Sequence, residues 1–184
     1  MKQVKGAIII RLVKAIKTSP KGLKPYEQIF SDKAKEFLKQ RILSATWYPF
    51  EEYRELYDAL SFVEVRNNPS DLIQWGINGA KLLLTTTYQS TIYKEDIKMA
   101  FEKYSRFHKR VFNFGEIVTK FISITELEMT FLDMPHDWQN YYYVSLGYGI
   151  AFIELCTNIR PEYSFLNKSW EREGWTKIKF TWDH

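Results

Sequence analysis

The sequence has few of the residues that build covalent or metal-stabilised structure. Only one of its 184 residues is a cysteine, Cys156, so no disulfide can form within the chain. The three histidines, His108, His136 and His184, do not form a pair with each other or with Cys156 at the spacing of a zinc site. We therefore predict no structural metal, and the cysteine count is compatible with a reducing compartment.

Long hydrophobic runs are also missing. The first apolar run, Ala7–Ile10, is followed by Arg11, Lys14 and Lys17, whereas a membrane-spanning helix needs roughly 20 apolar residues. A signal peptide likewise requires a longer apolar segment than this one. The sequence thus predicts a soluble, cytoplasmic protein with no membrane span.

Recognisable catalytic motifs are absent as well. Gly147-Tyr148-Gly149 lacks the third glycine and the preceding strand of a phosphate-binding loop. The carboxylate pairs Glu51-Glu52 and Glu126/Glu128 are expected to face solvent, so no acid–base pair can be identified. We predict that the protein is not an enzyme and has no cofactor.

The sequence is rich in aromatic residues, and its charges are unevenly distributed. Aromatics make up 17% of the chain, which indicates a bulky core, a wide apolar pocket or an adhesive interface. Residues 1–41 carry eleven lysines and arginines and three carboxylates, a net charge of +8 that leaves −4 for the remainder. An acidic partner, an anionic membrane and nucleic acid could each bind this basic N-terminal segment. Its lysines are spaced and no arginines cluster, so we favour a solvated face and predict no nucleic-acid binding.

The hydrophobic periodicity predicts helices up to residue 112 and a sheet with one helix over 113–184. The predicted helices lie at about Lys5–Lys17, Pro25–Phe30, Asp32–Arg41, Pro49–Ser61, Leu72–Leu84 and Lys94–Arg110. Two strands, Gly115–Ser123 and Glu126–Asp133, are followed by helix Trp138–Thr157, which Asp137 could cap, and by strands Glu162–Glu171 and Trp175–Trp182, with a hairpin turn at Glu173-Gly174. The fold class is therefore α+β: one domain over 1–184, with an N-terminal helical layer and a four-stranded antiparallel sheet (strand-strand-helix-strand-strand) packed on a long helix.

Two glycines, Gly76 and Gly79, lie inside a predicted helix, where each costs about 1 kcal/mol relative to alanine. Such a cost is offset where a glycine allows close packing of helices or leaves room for a ligand. Both possibilities remain open from the sequence.

Three features of the sequence together resemble a known family. They are Lys5-Gly6 before an apolar helix, Trp47-Tyr48-Pro49-Phe50 before another helix, and the C-terminal strand–helix–hairpin. In these the chain resembles the Myxococcus-type paralogous family of unknown function. More distantly, the late layout is similar to the superfamily of haem–nitric-oxide-binding (H-NOX) domains, four-vinyl-reductase-type domains and TRAPP tethering subunits. This resemblance implies a small-molecule sensor or a partner-binding module.

The resemblance raises two specific expectations about residues. H-NOX domains hold haem through an imidazole and a Tyr-x-Ser-x-Arg element, but Tyr104-Ser105-Arg106 is too compact to match that element. We therefore expect His108 to be an ordinary buried histidine. In TRAPP subunits a helix cysteine can carry an acyl chain, whereas we expect Cys156 to be a small core residue.

Our leading hypothesis is a non-enzymatic regulatory or sensory domain that binds a small apolar ligand between the long helix and the helical layer. The alternative is a protein-interaction or self-association module, such as a homodimer, without ligand. The candidate pocket residues are aromatic or lie on apolar helix faces: Trp75, Tyr104, His108, Phe131, Tyr142, Phe152 and Cys156.

Overall fold

The computed structural model describes the backbone of residues 1–86 and 96–183, and the side chains of these residues except 83–86. The chain divides into two compact units. The first comprises residues 1–67 and 109–114, and the second comprises residues 68–108 and 115–184. That residues 1–184 form one domain stays a prediction.

The first unit is mainly helical. Its elements are β1 (Gln3–Lys5), α1 (Gly6–Lys17), α2 (Lys24–Glu27), α3 (Asp32–Lys39), β2 (Trp47–Pro49) and α4 (Phe50–Val65). The sequence predicts the helices but not the antiparallel β1–β2 pair, because three-residue strands are too short to show alternation. Val4 also pairs with Phe112, which joins residues 109–114 to this unit.

The helices of the first unit follow their sequence patterns. Helix α1 buries an apolar stripe formed by Ile9, Leu12, Val13 and Ile16. Ser31 caps α3, because its hydroxyl accepts a hydrogen bond of 3.2 Å from the Ala34 amide.

A polar network ties the segment after α1 to the end of α4. The Glu64 carboxylate accepts hydrogen bonds from the Ser19 hydroxyl at 2.5 Å and from the Tyr26 hydroxyl. The Lys21 ammonium donates to the Glu64 carbonyl at 3.0 Å, and so caps the C-terminal end of α4. Burial alone would raise the pKa of Glu64, but the bonds from Ser19 and Tyr26 and the charge of Lys21 lower it. Burial and the Glu64 carboxylate raise the pKa of Tyr26 to about 12.

The second unit contains the predicted sheet. Its elements are α5 (Pro69–Thr86), α6 (Ile97–Val111, whose last three residues belong to the first unit), β3 (Glu116–Ser123), β4 (Glu126–Leu132), α7 (Gln139–Thr157), β5 (Glu162–Asn167) and β6 (Thr176–Thr181). The strands form one antiparallel sheet in the order β3-β4-β6-β5. This confirms the α+β class, with N-terminal helices followed by a four-stranded antiparallel sheet packed against helices.

Three local predictions in this unit were wrong. Strand β5 ends at Asn167 instead of Glu171, after a register shift beside Phe165. The β5–β6 connection therefore runs from residue 168 to 175 and is longer than a turn at Glu173-Gly174. Trp138, and not Asp137, is the N-cap residue of α7. The predicted start of α6 at Lys94 lies outside the described residues.

The two faces of the sheet differ in chemistry. The inner face buries Leu127, Met129 and Phe131 of β4, together with Ile178 and Phe180 of β6. On the outer face, Glu126 pairs with Lys179 at 2.8 Å and Glu128 pairs with Lys177 at 3.5 Å. These carboxylates thus form cross-strand ion pairs.

Helices α5 and α7 touch at glycines. A Cβ atom added to Gly76 would lie 2.0 Å from the Val144 carbonyl oxygen, and one added to Gly147 would lie 2.1 Å from the Ile73 carbonyl oxygen. Gly76 therefore serves close helix packing, one of the two alternatives open from the sequence. None of the described helices is long and apolar enough to cross a membrane.

Candidate functional site

Helices α6 and α7 face each other through two buried polar pairs. The Tyr104 hydroxyl donates to the Ser145 hydroxyl at 3.1 Å, and the His108 Nδ1 lies 3.0 Å from the Tyr141 hydroxyl. Tyr104 and His108 are four residues apart on α6, and Tyr141 and Ser145 are four residues apart on α7, so each pair lies on one helix face. The earlier residue on α6 pairs with the later residue on α7, and the two helices are therefore antiparallel. All four residues are less than 10% exposed.

The two pairs are linked into one chain of hydrogen bonds. The Tyr141 hydroxyl also bonds to the Tyr104 hydroxyl. Burial strongly raises the pKa of Tyr104, and its hydrogen bonds with Ser145 and Tyr141 only partly oppose the rise. Tyr104 is therefore a neutral phenol, which can donate a hydrogen bond inside an apolar region.

Aromatic rings surround this polar chain at both ends. Near Tyr104 the rings of Phe101, Tyr148, Phe152 and Phe180 pack in contact, with Tyr104 stacked on Tyr148 at 5.4 Å between centroids. Near His108, Tyr141 stacks on Trp138 at 4.4 Å and meets the edges of Phe131 and Tyr142. We call the two groups the Tyr104 cluster and the Tyr141 cluster.

The structure brings five of the seven candidate residues into these clusters. Tyr104 and Phe152 belong to the Tyr104 cluster, whereas His108, Phe131 and Tyr142 belong to the Tyr141 cluster. Two candidates stand apart from the ring contacts: Trp75 is half-buried on α5, and Cys156 is buried on α7. The assignment of all seven to one pocket stays a prediction.

Sequence reasoning did not recognise the role of Tyr141 and Ser145. Both lie on a helix that is apolar on almost every side, so amphipathicity gave no signal. The detectable signal was the matching spacing of polar residues, four apart in Tyr104 and His108 and four apart in Tyr141 and Ser145.

Cys156 has the environment of a structural thiol. Burial raises its pKa, and the negative charge of Asp96 adds to the rise. A raised pKa leaves the sulfur protonated at neutral pH and therefore a poor nucleophile.

The environment of His108 does not fit an axial ligand of haem, the group that the H-NOX resemblance implies. An axial imidazole must present a nitrogen to a space wide enough for the macrocycle. The Nδ1 of His108 is bonded to Tyr141, and the Nε2 faces Gly115, where an added Cβ would lie 3.4 Å from it. His108 is only 1% exposed, so both nitrogens meet protein atoms.

The sequence Tyr104-Ser105-Arg106 is the one most like the Tyr-x-Ser-x-Arg element, but each of its side chains has another partner. Tyr104 bonds to Ser145, Ser105 donates to the Ile117 carbonyl at 2.7 Å, and Arg106 pairs with Glu102 at 3.1 Å. A second stretch, Tyr143-Val144-Ser145-Leu146-Gly147, has glycine in place of arginine, and that glycine touches α5. The described residues thus lack the expected clamp for the haem propionates.

Other metal chemistry finds no support in the described part of the chain. No group of three or more histidine, cysteine, aspartate or glutamate side chains there could hold a metal ion. His136 is exposed and stacks on Trp175 at 4.9 Å between centroids. His184 lies outside the described residues.

Comparisons with known proteins connect this architecture to one group of solved structures. No protein-family model matches the sequence, and no curated protein matches it. The Fe(II) unliganded H-NOX protein from K. algicida is 14% identical, with a TM-score of 0.67 over 98% of this chain and 97% of that chain. A mutant of the H-NOX from T. tengcongensis is 12% identical, with a TM-score of 0.62 over 98% of both chains. An oxygen-binding H-NOX domain related to soluble guanylate cyclases is 11% identical, with a TM-score of 0.63 over 98% of this chain and 95% of that chain. The chain therefore has the fold of H-NOX domains across nearly its whole length.

Proposed function

We propose that this chain is a non-enzymatic regulatory domain that binds a small apolar ligand among α5, α6 and α7 without using haem. The observation that carries the proposal is the buried hydrogen-bond chain through Tyr104, Ser145, Tyr141 and His108, which lies between two aromatic clusters. Ligand sites are mostly apolar and contain a few placed polar groups that orient the ligand. This interior has that composition.

The fold supports a sensing role rather than catalysis. The similar solved structures named above are H-NOX proteins, and one of them is an oxygen-binding domain. In our proposal the same architecture serves another ligand, because the described residues do not fit haem. A ligand that separates the stacked Tyr104 and Tyr148 rings would favour a second arrangement of α6 and α7, and so shift the population of states.

Native mass spectrometry of the protein purified from its own host tests the proposal. We expect an adduct of defined mass that organic solvent releases. The Tyr104→Phe variant keeps the ring and removes one hydroxyl, so it should retain clearly less adduct. Tyr163→Phe, at an exposed position of β5, is the matched control and should retain it all.

Two outcomes would count against the proposal. Repeated absence of any adduct, together with a clean dimer mass, would overturn it in favour of the self-association module. An adduct that Tyr104→Phe retains in full would show that the ligand lies elsewhere.

A further inference from the structure

A groove in the first unit lies apart from the residues proposed above. Helices α1, α2 and α3 enclose about 370 Å³, and the groove is lined by three apolar and four charged residues: Leu23, Phe30, Leu38, Lys17, Glu27, Lys35 and Lys39. Phe30 and Leu38 are buried and form an apolar floor, whereas Leu23 is 38% exposed. The volume falls within the range of roughly 300–1,000 Å³ that is typical of small-molecule sites.

The charges of this groove favour an anion. Its lining includes three lysines and only one acidic residue, Glu27. Lys35 has a partner in Asp32 at 3.5 Å, but the Asp32 side chain is almost fully exposed, so this pair is weak. Lys17 and Lys39 make no ion pair or side-chain hydrogen bond within the part of the chain that the structure describes.

A second groove along α3 provides an internal comparison. It encloses about 300 Å³ and is lined by Lys33, Glu36, Phe37, Gln40, Tyr48, Pro49 and Glu52. Its two carboxylates outnumber its single ammonium group, so its charge is opposite to that of the first groove. The two grooves are similar in size, and charge distinguishes them.

We propose that the first groove binds a small amphipathic carboxylate, such as a medium-chain fatty acid. The apolar chain lies on Leu23, Phe30 and Leu38, because burial of apolar area is favourable. The carboxylate is held by the ammonium groups of Lys17 and Lys39 through charge-assisted hydrogen bonds. This site goes beyond the proposed function, since it uses a different unit and different residues.

Titration of the full chain with sodium decanoate, below the concentration at which it forms micelles, tests the site. Binding is followed by calorimetry and by amide chemical shifts, with decanol as the uncharged probe and acetate as the probe without a chain. We expect decanoate to bind about tenfold more tightly than decanol, because the charge adds to the apolar contact. Acetate should not bind measurably, and the shifts should map to residues 17–39.

Matched variants separate the groove from general surface charge. Lys17→Gln with Lys39→Gln should weaken decanoate binding about tenfold and leave decanol binding unchanged. Lys33→Gln, on the same helix but in the second groove, should leave both unchanged. Circular dichroism of each variant checks that it is folded.

The proposal is overturned if the double variant binds decanoate as the wild type does, if decanol binds equally well, or if the shifts map to the Tyr104 cluster. Tyr104→Phe serves as a cross-check, since it should weaken the host-derived adduct without changing decanoate affinity. Failure at the groove and failure at the aromatic interior are therefore distinguishable.

Discussion

At the scale of single residues, Glu64 links ionisation to stability most directly. Its pKa is lower in the folded protein, so its network contributes stability above the unfolded pKa of about 4.3 and loses that contribution as the pH falls through the folded value. We predict that Glu64→Gln lowers the free energy of unfolding by about 1.5 kcal/mol at pH 7. The gap to wild type should shrink as the pH falls below about 4.3. Urea unfolding of both proteins across a pH series measures it.

Glu162→Gln is the control for this experiment, because Glu162 is exposed on β5. Its gap to wild type should be small at every pH. A Glu64→Gln gap that stays constant down to pH 3, or one that grows in acid, would show that the network does not operate through the charge of Glu64.

The pair Tyr104 and Ser145 allows a second test at this scale. A double-mutant cycle with Tyr104→Phe and Ser145→Ala should give a coupling energy of about 1 kcal/mol, because each single variant removes the same buried hydrogen bond. Ser105→Ala is the control partner, since Ser105 is adjacent in sequence but bonds to Ile117. A coupling of Tyr104 with Ser105 as large as that with Ser145 would contradict the pairing.

These residue-level partners illustrate what the sequence can and cannot predict. The Ser31 cap was predictable because its hydroxyl reaches an amide three residues away. The partners of Glu64 are 38 and 45 residues distant, and those of Tyr104 and His108 are 41 and 33 residues distant. Such pairs depend on which helix faces meet, and a local pattern does not contain that information.

At the scale of elements, the contact between α5 and α7 depends on glycine. Gly76→Ala should lower the free energy of unfolding by about 3 kcal/mol, because the new methyl group meets the Val144 carbonyl and the Gly147 Cα, which are backbone atoms that cannot move aside. Gly79→Ala is the matched control on the same helix. Its methyl group would meet the hydroxyl end of Tyr148, which can shift, and alanine gains about 1 kcal/mol of helix propensity. Thermal unfolding of the two variants should rank Gly76→Ala far below Gly79→Ala; equal losses would refute the close contact.

The elements themselves followed from periodicity wherever they were long. Strand β4 alternates over seven residues and α1 shows its apolar stripe over twelve, so both were predicted nearly to the residue. Strands β1 and β2 have three residues each, which is too few for a period to emerge. Strand β5 was predicted too long because the aromatic pattern continues past Asn167 to Trp170. Trp170 is not part of the strand: it lies in the segment that connects β5 to β6, and from there it packs on Tyr142 and Tyr143.

At the scale of the whole molecule, the predicted order of six helices, two strands, one helix and two strands indicated the α+β class, and the structure adds the short strands β1 and β2 to that order. The H-NOX fold did not follow from the order; it entered as what the resemblance implied, and the similar solved structures have it. The use of that fold was not predictable in the same way. Whether the interior of this fold holds a prosthetic group depends on which side-chain nitrogen, hydroxyl or cation is oriented toward the cavity. Those orientations depend on how the helices pack, which the sequence pattern does not show.

Haem titration of the whole chain tests whether its interior can bind haem. We predict that adding hemin to the purified protein produces no one-to-one Soret band, because both nitrogens of His108 meet protein atoms and no propionate clamp lies among the described residues. Any weak surface absorption should be unchanged in the His108→Ala variant. The oxygen-binding H-NOX domain, treated identically, provides the positive control.

The opposite result would be equally informative about how the fold works. A sharp stoichiometric band that disappears in His108→Ala, while the variant keeps its helical circular dichroism, would mean that Tyr141 and Gly115 move away to open the space beside the imidazole. That opening would break the bond between His108 and Tyr141 and so disturb the chain that reaches Tyr104 and Ser145. Tyr141→Phe removes this bond in advance, so it should then bind hemin more tightly than the wild type. If wild type and Tyr141→Phe both fail to take up hemin, the interior is closed to haem for reasons of space and not because of one hydrogen bond.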